Sequence, residues 1–396
     1  MPPTESYKLG HGATTAFTPR IRSLYAHVPF CHTICGYCDF YSEVFDKQAI
    51  GPLVDSLLAE LAGYETAHAF SVDTIFVGGG TPTTLPPELL QKLLTKLASL
   101  ADRDLPLEFT SEANPATVTP EVAAALVNGG VNRVSIGAQS FDAGELQVLE
   151  RIHRPPQVAE TIRIARAAGI DNVSIDLIFA VPGQSLASWM RNLDAALALN
   201  TDHLSCYGLT FEPGTPLHRQ LSEGRVRKVD EDLEAEMYEA TIERLAREGY
   251  RQYEVSNFAR PGRECRHNLR YWNNDGYLGI GPSACGFLAD RGLRYRNVPD
   301  TAAYVRAIRA GKSPQIESEE LSRDAQMRDA AWLGLRQNRG IDRAAFRERY
   351  AQDFVDAFPA AVEELRLDGL LEVDDATIRL TRRGLLLGNH VAARFL

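Results

Sequence analysis

The sequence predicts an α/β fold built on a parallel sheet that closes, or partly closes, into a barrel. Short apolar segments alternate with longer helix-period segments over residues 21–225, and this order is typical of parallel strands joined by crossover helices. The strand segments are almost continuously apolar, as expected when both faces of a sheet are covered. Polar residues follow nearly every strand. This favours a barrel over an open doubly wound sheet, because barrel enzymes build their active sites on that rim.

The alternating elements can be placed one by one. Helices are indicated by apolar residues at helical spacing in 53–64, 87–100 and 121–127. The last of these has clear start signals, since Thr119 can cap it and Pro120 suits a first helical position. The six predicted strands span residues 22–30, 73–80, 107–115, 132–140, 172–180 and 203–211.

The pattern changes after residue 225, where a long, charged, amphipathic helix is predicted over 230–250 and a loop-rich aromatic stretch over 264–287. Further on, helices precede a hairpin around 370–380 and a last helix, the order of a winged helix. Because this part is rich in Asp and Glu, we expect it to be structural or to bind a partner protein rather than DNA. The predicted division is a disordered tail (1–20), the barrel (21–225), a barrel extension (226–300) and a C-terminal winged-helix-like domain (301–396).

Composition and charge exclude several classes of function. The net charge of -10 argues against a nucleic-acid partner held by phosphate contacts, but it leaves room for a small anionic ligand in a local basic pocket. No apolar run reaches the roughly 18 residues of a membrane span. The first residues lack the charged-then-apolar order of a secretion signal. These features predict a cytoplasmic protein with no transmembrane segment.

Three of the six cysteines form a cluster, Cys31, Cys35 and Cys38, in the pattern C-x3-C-x2-C at the end of the first predicted strand. Thiolates are soft ligands that suit iron–sulfur clusters, whose usual complement is four cysteines. Three cysteines on a cubane cluster leave one iron open to another molecule. A structural zinc site is the alternative, but it needs a fourth ligand, and His32 lies between two of the cysteines, where we expect it to point away. The scattered cysteines are expected to be small core residues: Cys206, Cys265 and Cys285.

The stretch from Tyr25 to Phe40, which contains the three cysteines, resembles the signature of radical S-adenosylmethionine (SAM) proteins. The resemblance implies that Cys31, Cys35 and Cys38 hold a [4Fe–4S] cluster whose open iron chelates the amino and carboxylate groups of SAM. Reduction of such a cluster cleaves SAM to a 5′-deoxyadenosyl radical. The implied fold is a partial (βα)6 barrel, in agreement with the six units identified above.

The resemblance also implies which residues contact SAM. The segment 78–83, GGGTPT, is not a phosphate-binding P-loop, because no lysine follows its glycines, but glycines allow the backbone to approach a ligand closely. A carboxylate suits ribose hydroxyls or an ammonium, and arginine suits a carboxylate. Each polar residue alone would more often be a helix cap or a solvated rim residue, so the set carries the argument. The implied SAM contacts are Tyr25, Tyr37, Gly79, Gly80, Thr81, Glu112, Gln139, Arg151, Asp176 and Gly208.

From about residue 21 to the C-terminus the chain is most similar to the oxygen-independent coproporphyrinogen III oxidase group, which has an oxidase branch and a heme-chaperone branch. The oxidase carries a further cysteine where this chain has Phe40, and a longer N-terminal extension. The chaperone branch is marked by H-N-x-x-Y-W, present here as residues 267–272. The resemblance therefore implies a protein that binds heme and delivers it to client hemoproteins. Imidazole is a usual heme ligand, so His267 is the predicted heme-associated residue.

Alternatives remain at this stage. The enzymatic one is oxidative decarboxylation of coproporphyrinogen III, so whether the chain is an enzyme stays open, and a winged-helix regulator is the third. Residues 279–284 satisfy G-x-G-x-x-A with Asp300 about twenty residues on, but neither the preceding strand nor the following helix of a dinucleotide fold is indicated. The sequence does not decide between monomer and homodimer, and it leaves peripheral membrane association through a client open.

Overall fold

The computed structural model describes residues 20–396. The tail predicted for residues 1–20 lies outside the described residues except for Arg20, which begins the first strand. The first part of the described chain contains, in order, β1 (Arg20–Val28), β2 (Phe30–Cys31), β3 (Glu43–Val44), α1 (Lys47–Ala67), β4 (Ala69–Gly79), a 3-10 turn (Pro82–Thr84), α2 (Pro87–Ala98), β5 (Glu108–Ala113), α3 (Pro120–Asn128), β6 (Arg133–Gln139), α4 (Ala143–Val148), α5 (Pro156–Ala168), β7 (Asn172–Phe179), α6 (Leu186–Ala198), β8 (His203–Gly208) and α7 (Pro216–Ser222).

The second part begins with a long helix and continues through short strands into a mostly helical end. It contains, in order, α8 (Glu231–Arg247), β9 (Arg251–Gln252), β10 (Asn257–Ala259), α9 (Arg266–Trp272), β11 (Leu278–Ile280), β12 (Cys285–Leu288), β13 (Leu293–Asn297), α10 (Thr301–Arg309), β14 (Gln315–Glu320), α11 (Arg323–Gly334), β15 (Ile341–Asp342), α12 (Arg343–Tyr350), α13 (Phe354–Ala357), α14 (Pro359–Leu367), β16 (Leu371–Val373), β17 (Thr377–Leu380), α15 (Arg382–Leu386) and α16 (Gly388–Ala392).

The main sheet contains all six predicted strands, as β1, β4, β5, β6, β7 and β8, paired in parallel and in chain order. Helices connect most successive strands, as the alternating pattern predicts. The two end strands of the sheet, β11 and β9, do not pair with each other, so the sheet is a partial barrel. The predicted fold class is confirmed. Because the strands are parallel, their carboxyl ends lie at one end of the barrel and their amino ends at the other.

The core of the barrel is formed by strand residues facing the helices and the interior. Leu24, Ile75 and Ile175 are fully buried, and burying such a side chain contributes about 1.5–3 kcal/mol relative to leaving it exposed. The predicted start of α3 is confirmed, because the Thr119 hydroxyl accepts a hydrogen bond from the backbone N–H of Val122 at 3.3 Å. The sequence pattern therefore predicts the six parallel strands and the start of α3 correctly.

The region 264–287, predicted to be loop-rich, contains ordered elements that extend the sheet. The short strand β11 pairs in parallel with β1. Just before this region, β10 pairs antiparallel with β8. Gly279 in β11 is required by packing, since a Cβ there would lie 1.8 Å from the carbonyl oxygen of Cys285. The segment that follows β11 leads into the strand β12 and not into a helix, so residues 279–284 do not form a dinucleotide-binding turn. Cys206 and Cys265 are buried as predicted, whereas Cys285 is exposed.

The C-terminal region has a hydrophobic core of its own, which runs in sequence from Met327 to Phe395. The predicted hairpin is present as β16 and β17, which join β15 in a three-stranded antiparallel sheet packed with helices. Residues 301–320, assigned by the sequence to this domain, instead pack with the barrel. The Tyr304 hydroxyl donates to the buried Glu60 of α1 at 2.5 Å, and β14 pairs with β13.

Candidate cluster and cofactor site

The three clustered cysteines lie at the carboxyl end of the barrel: Cys31 ends β2, and Cys35 and Cys38 lie in the loop between β2 and β3. Short backbone hydrogen bonds shape this loop, including Cys38 N to Cys35 O at 3.1 Å and Phe45 N to Cys31 O at 2.8 Å. All three thiols are half-buried and line one cavity of about 450 Å³. The structure thus brings Cys31, Cys35 and Cys38 together on one wall of an open site.

The surroundings of the thiols favour a bound metal group. Burial raises the pKa of Cys31, and burial, opposed in part by a hydrogen bond from the Phe40 backbone, raises the pKa of Cys38 to about 12. Such thiols stay protonated unless a positive centre stabilises the thiolate, as a metal ion does. The guanidinium of Arg151 donates to Cys35 Sγ at 3.5 Å, and the Thr81 hydroxyl lies 3.4 Å from Cys31 Sγ.

The arrangement of the thiols bears on the kind of metal group. Within residues 20–396, no set of three or more His, Cys, Asp and Glu side chains is arranged to hold a single metal ion. Three thiols are soft donors that suit an iron–sulfur cluster, whereas a structural zinc site needs a fourth protein ligand. The cysteines therefore fit a cluster with one open iron.

The glycine-rich turn after β4 forms the floor next to the cysteine loop. Gly80 N–H donates to Val28 O at 2.8 Å and Thr81 N–H donates to Phe30 O at 2.8 Å. A Cβ on Gly80 would lie 2.5 Å from the carbonyl of Pro29, so only glycine lets the turn pack under the cysteine loop. Gly79 has φ +106°, a conformation that glycine adopts without strain. Gly79, Gly80 and Thr81 all line the cavity.

Two carboxylates from separate strands face the same cavity. Glu112 accepts from Gly79 N–H at 3.1 Å, and Asp176 accepts from the Ser135 hydroxyl at 2.9 Å. Burial, together with the charge of Asp176, raises the pKa of Glu112 to about 7, and burial also raises the pKa of Asp176. Neither carboxylate has a positively charged salt-bridge partner within residues 20–396. The charge of Arg133 acts against the rise in the pKa of Asp176, and no such cation acts on Glu112. A cationic ligand would stabilise both carboxylates, and SAM carries a sulfonium and an ammonium.

The remaining predicted SAM contacts divide into two groups. Tyr37, Gln139, Arg151 and Gly208 line the cavity. Gln139 has φ 64°, an uncommon left-handed conformation for a residue other than glycine, and such strain is concentrated at functional sites. Tyr25 does not line this cavity; its hydroxyl pairs with the His27 ring at 2.9 Å.

Sequence reasoning missed several residues that line the cavity. Ser135 and Gly137 lie in β6, and Tyr207 lies in β8. Alternation along these strands was the signal available, because residues two apart point to the same face. Phe40, singled out as the position where the oxidase branch has a cysteine, lies at the cavity with 68% of its side chain exposed.

His267 lies elsewhere, at the amino-terminal end of the barrel. Its side chain is fully buried, and it does not line the cysteine cavity. Nδ1 lies 3.1 Å from the Ser23 hydroxyl and 3.2 Å from the Thr74 hydroxyl, while Nε2 lies 2.9 Å from the Tyr271 hydroxyl. Burial, with the nearby charge of Arg270, lowers its pKa to about 3. The imidazole is therefore neutral, and both nitrogens are occupied within the chain.

Helix α9, which carries the HNLRYW motif, is fastened to the amino ends of β4 and β5. Glu108 accepts hydrogen bonds from the backbone N–H groups of Arg266 and His267, each at 2.9 Å. This carboxylate sits at the helix N-terminus, where negative charge is favoured. Asp73 pairs with Arg270 at 2.6 Å. The motif thus closes the end of the barrel that lies opposite the cysteine cavity.

A partial parallel barrel with three cysteines above the carboxyl ends of its strands defines a radical SAM protein. Residues 25–196 match the Radical SAM superfamily, and residues 321–387 match the HemN C-terminal domain. Proteins of this superfamily use a [4Fe–4S] cluster and SAM, and the donor set and carboxylates described above fit both groups. In the described part of the chain, no helix has the length and apolarity needed to cross a membrane.

Comparison with whole proteins narrows the class. The chain is 37% identical to the heme chaperone HemW of Lactococcus lactis, covering 94% of this chain and 97% of that protein. It is 35% identical to the heme chaperone HemW of Bacillus subtilis, covering 95% and 99%. The structure of the coproporphyrinogen III oxidase HemN from Escherichia coli, a radical SAM enzyme, has the same fold, with a TM-score of 0.83, 24% identity, and coverage of 96% of this chain and 91% of that one. The chain belongs to the HemW family.

Proposed function

We propose that this protein is a heme chaperone, which binds heme and transfers it to client hemoproteins while carrying a SAM-coordinating [4Fe–4S] cluster. The observation that carries the proposal is the cysteine cavity, which the predicted SAM contacts other than Tyr25 line and which has an exposed phenylalanine, Phe40, where the oxidase branch has a further cysteine. Its relatives in L. lactis and B. subtilis are named heme chaperones and match this chain over nearly its full length.

In this proposal the residues of the cavity divide the work of holding the cofactors. Cys31, Cys35 and Cys38 would hold the cluster, which supplies one-electron chemistry when bound. Glu112 and Asp176 would hold the positive groups of SAM, because buried carboxylates without a salt bridge are stabilised by an incoming cation. Arg151 lies beside Cys35 Sγ, where its guanidinium suits the carboxylate of SAM and the negative charge of a thiolate-ligated cluster. Gly79, Gly80, Gln139 and Gly208 bring backbone and amide groups to the remaining walls.

The proposed partners are heme and client hemoproteins, and the proposed location is the cytoplasm. The net charge of -10 supports the absence of a nucleic-acid partner, because phosphate backbones are held by basic surfaces. The proposal also includes a homodimer. It further includes contact with a membrane through a client protein.

The proposal is tested by two measurements on the anaerobically reconstituted protein. Hemin titration followed by its absorption is expected to show saturable binding. Incubation with coproporphyrinogen III, SAM and a reductant is expected to leave that porphyrinogen unchanged. Formation of protoporphyrinogen IX would overturn the chaperone reading in favour of the oxidase, and a failure to bind heme would overturn it without supporting the oxidase. Transfer of bound heme to an apo-hemoprotein then measures delivery.

A further inference from the structure

A second cavity lies between the barrel and the C-terminal region and shares only Gly208 with the cysteine cavity. Its volume is about 780 Å³, compared with about 450 Å³ for the cysteine cavity. Residues of β7 and β8, of α8 and of the C-terminal helices line it. A volume of this size lies within the range of about 300–1,000 Å³ found for small-molecule and cofactor sites.

One wall of this cavity is markedly apolar. Three consecutive leucines, Leu385, Leu386 and Leu387, line it together with Trp332. Leu386 and Leu387 remain 38% and 40% exposed, although large apolar side chains at adjacent positions are normally covered. Clustered exposed apolar residues in a concave site indicate a binding surface for an apolar ligand or partner.

Two arginines, Arg336 and Arg383, add positive charge to the same cavity. The Arg336 guanidinium stacks over the Trp272 ring, with its central carbon 4.6 Å from the ring centroid. Its only salt-bridge partner among the described residues, Glu254, is 4.0 Å away, and its Nε has no hydrogen-bond partner within the described chain. Arg383 donates to the carbonyl of Asp368 at 3.0 Å. Arg336 therefore retains donor capacity for an anionic group.

We propose that this cavity is the heme site, an inference that rests on the proposed heme-chaperone function. Heme is a flat apolar ring with two carboxylates on one edge. The leucines and Trp332 offer the ring an apolar wall, and Arg336 and Arg383 offer the carboxylates charge-assisted hydrogen bonds. Two acidic residues on α8, Glu231 and Glu234, also line the cavity and disfavour the reversed orientation, in which the carboxylates would face them.

This placement gives the HNLRYW motif a positioning role. Glu108 and the hydrogen bonds of His267 fasten α9 to the barrel, and the last residue of the motif, Trp272, supports Arg336 at the cavity. His267 thus acts through the helix that holds Trp272, and its buried ring does not reach the heme iron. The predicted association of the motif with heme is kept, but it passes through Trp272 and Arg336.

The decisive experiment is hemin titration of the full-length reconstituted protein and of two matched leucine variants. Leu387→Glu places a carboxylate in the apolar wall, and we expect affinity to fall at least about tenfold, because an uncompensated polar group against an apolar ligand is strongly disfavoured. Leu367→Glu is the control, since Leu367 is 71% exposed on α14 and does not line the cavity. Unchanged iron content and thermal unfolding verify that both variants fold.

The outcomes separate the two proposals. Absence of heme binding by the unmodified protein would remove the proposed function itself. Binding by the unmodified protein with equal affinity in Leu387→Glu would overturn the cavity assignment and leave the function standing. A second pair tests the motif: Trp272→Ala is expected to weaken heme binding several-fold, and Trp272→Phe, which keeps an aromatic face for Arg336, is expected to retain most of it. Equal heme affinities for these two variants would show that the motif does not act on the cavity.

Discussion

The two ends of the barrel carry similar kinds of residue in opposite states. At the carboxyl end, three half-buried thiols and two carboxylates face a cavity. Glu112 and Asp176 accept hydrogen bonds from the chain, but neither forms a salt bridge among the described residues. At the amino end, His267, Glu108 and Asp73 are tied into hydrogen bonds and ion pairs within the fold. The presence of polar residues at a strand end therefore does not define a binding site. The decisive difference is whether their partners lie within the chain.

The same difference has an energetic side. A buried polar group whose partners are present contributes modestly to stability, about 0.5–1.5 kcal/mol per hydrogen bond, while removing one partner leaves the other unsatisfied. At the carboxyl end the carboxylates have raised pKa values because burial penalises their charged forms. The amino end already holds its ion pairs within the chain, although Asp73 Oδ1 has no hydrogen-bond partner among the described residues. The charges of the two carboxylates at the carboxyl end are balanced only when a cationic ligand binds.

The largest expected effect is loss of the iron–sulfur cluster at the carboxyl end of the barrel. Cys35→Ala removes one of three cluster ligands, and we expect iron and acid-labile sulfide to fall from about four of each per chain, the content of one [4Fe–4S] cluster, to near zero. Cys285→Ala is the matched control, because Cys285 is exposed and lies outside the cysteine cavity. Full cluster content in Cys35→Ala would refute the assignment of the triplet.

The next largest effect is expected at the amino end of the barrel, as a loss of stability. His267→Ala leaves the hydroxyls of Ser23, Thr74 and Tyr271 without their partner and opens a void, so the free energy of unfolding is expected to fall by about 3 kcal/mol. Urea unfolding of the protein measures this change. His390→Ala, which removes an exposed histidine, is expected to change stability by no more than about 0.5 kcal/mol. A similarly small effect for His267→Ala would show that the amino end is not the rigid closure described here.

The smallest expected effect is a pH dependence of the affinity for SAM, which arises from Glu112 at the carboxyl end. The pKa of Glu112 in the ligand-free protein is raised to about 7, and a cationic ligand binds best to the ionised carboxylate. Affinity for SAM should therefore be full above pH 7 and weaken as the pH falls below 7, because the proton must then be released on binding.

Calorimetric titration with SAM from pH 6 to pH 8, on the anaerobic protein, measures this dependence. Glu112→Gln is expected to bind SAM about tenfold more weakly at pH 8, the equivalent of about 1.4 kcal/mol, with a flatter pH profile. Glu121→Gln is the control, since Glu121 is exposed on α3. A pH profile in Glu112→Gln identical to that of the unmodified protein would assign the dependence to another group.

Much of the fold could be predicted because its signals are local. The six parallel strands are buried on both faces and read as apolar runs, and Thr119 and Pro120 mark a helix start within a few residues. Strands such as β11 could not be predicted, since a three-residue segment containing Gly279 becomes a strand only through its pairing with β1. Its existence is decided by a partner about 250 residues away in sequence, which no local pattern reports.

The candidate site shows the same limit. The cysteine cavity could be predicted because each of its residues follows a strand, and parallel strands bring their ends together. The environment of His267 could not, because its partners Ser23, Thr74 and Glu108 come from three strands and nothing near residue 267 identifies them. The motif was correctly singled out, but its burial is a property of the assembled barrel.

Gly208, at the carboxyl end of β8, lines both the cysteine cavity and the cavity beneath the leucines. Two ligands that share a wall are thermodynamically linked wherever one of them shifts that wall. Linkage is reciprocal, so any factor by which SAM changes the affinity for heme must equal the factor by which heme changes the affinity for SAM. A shift of the Gly208 backbone on SAM binding would thus change the affinity for heme.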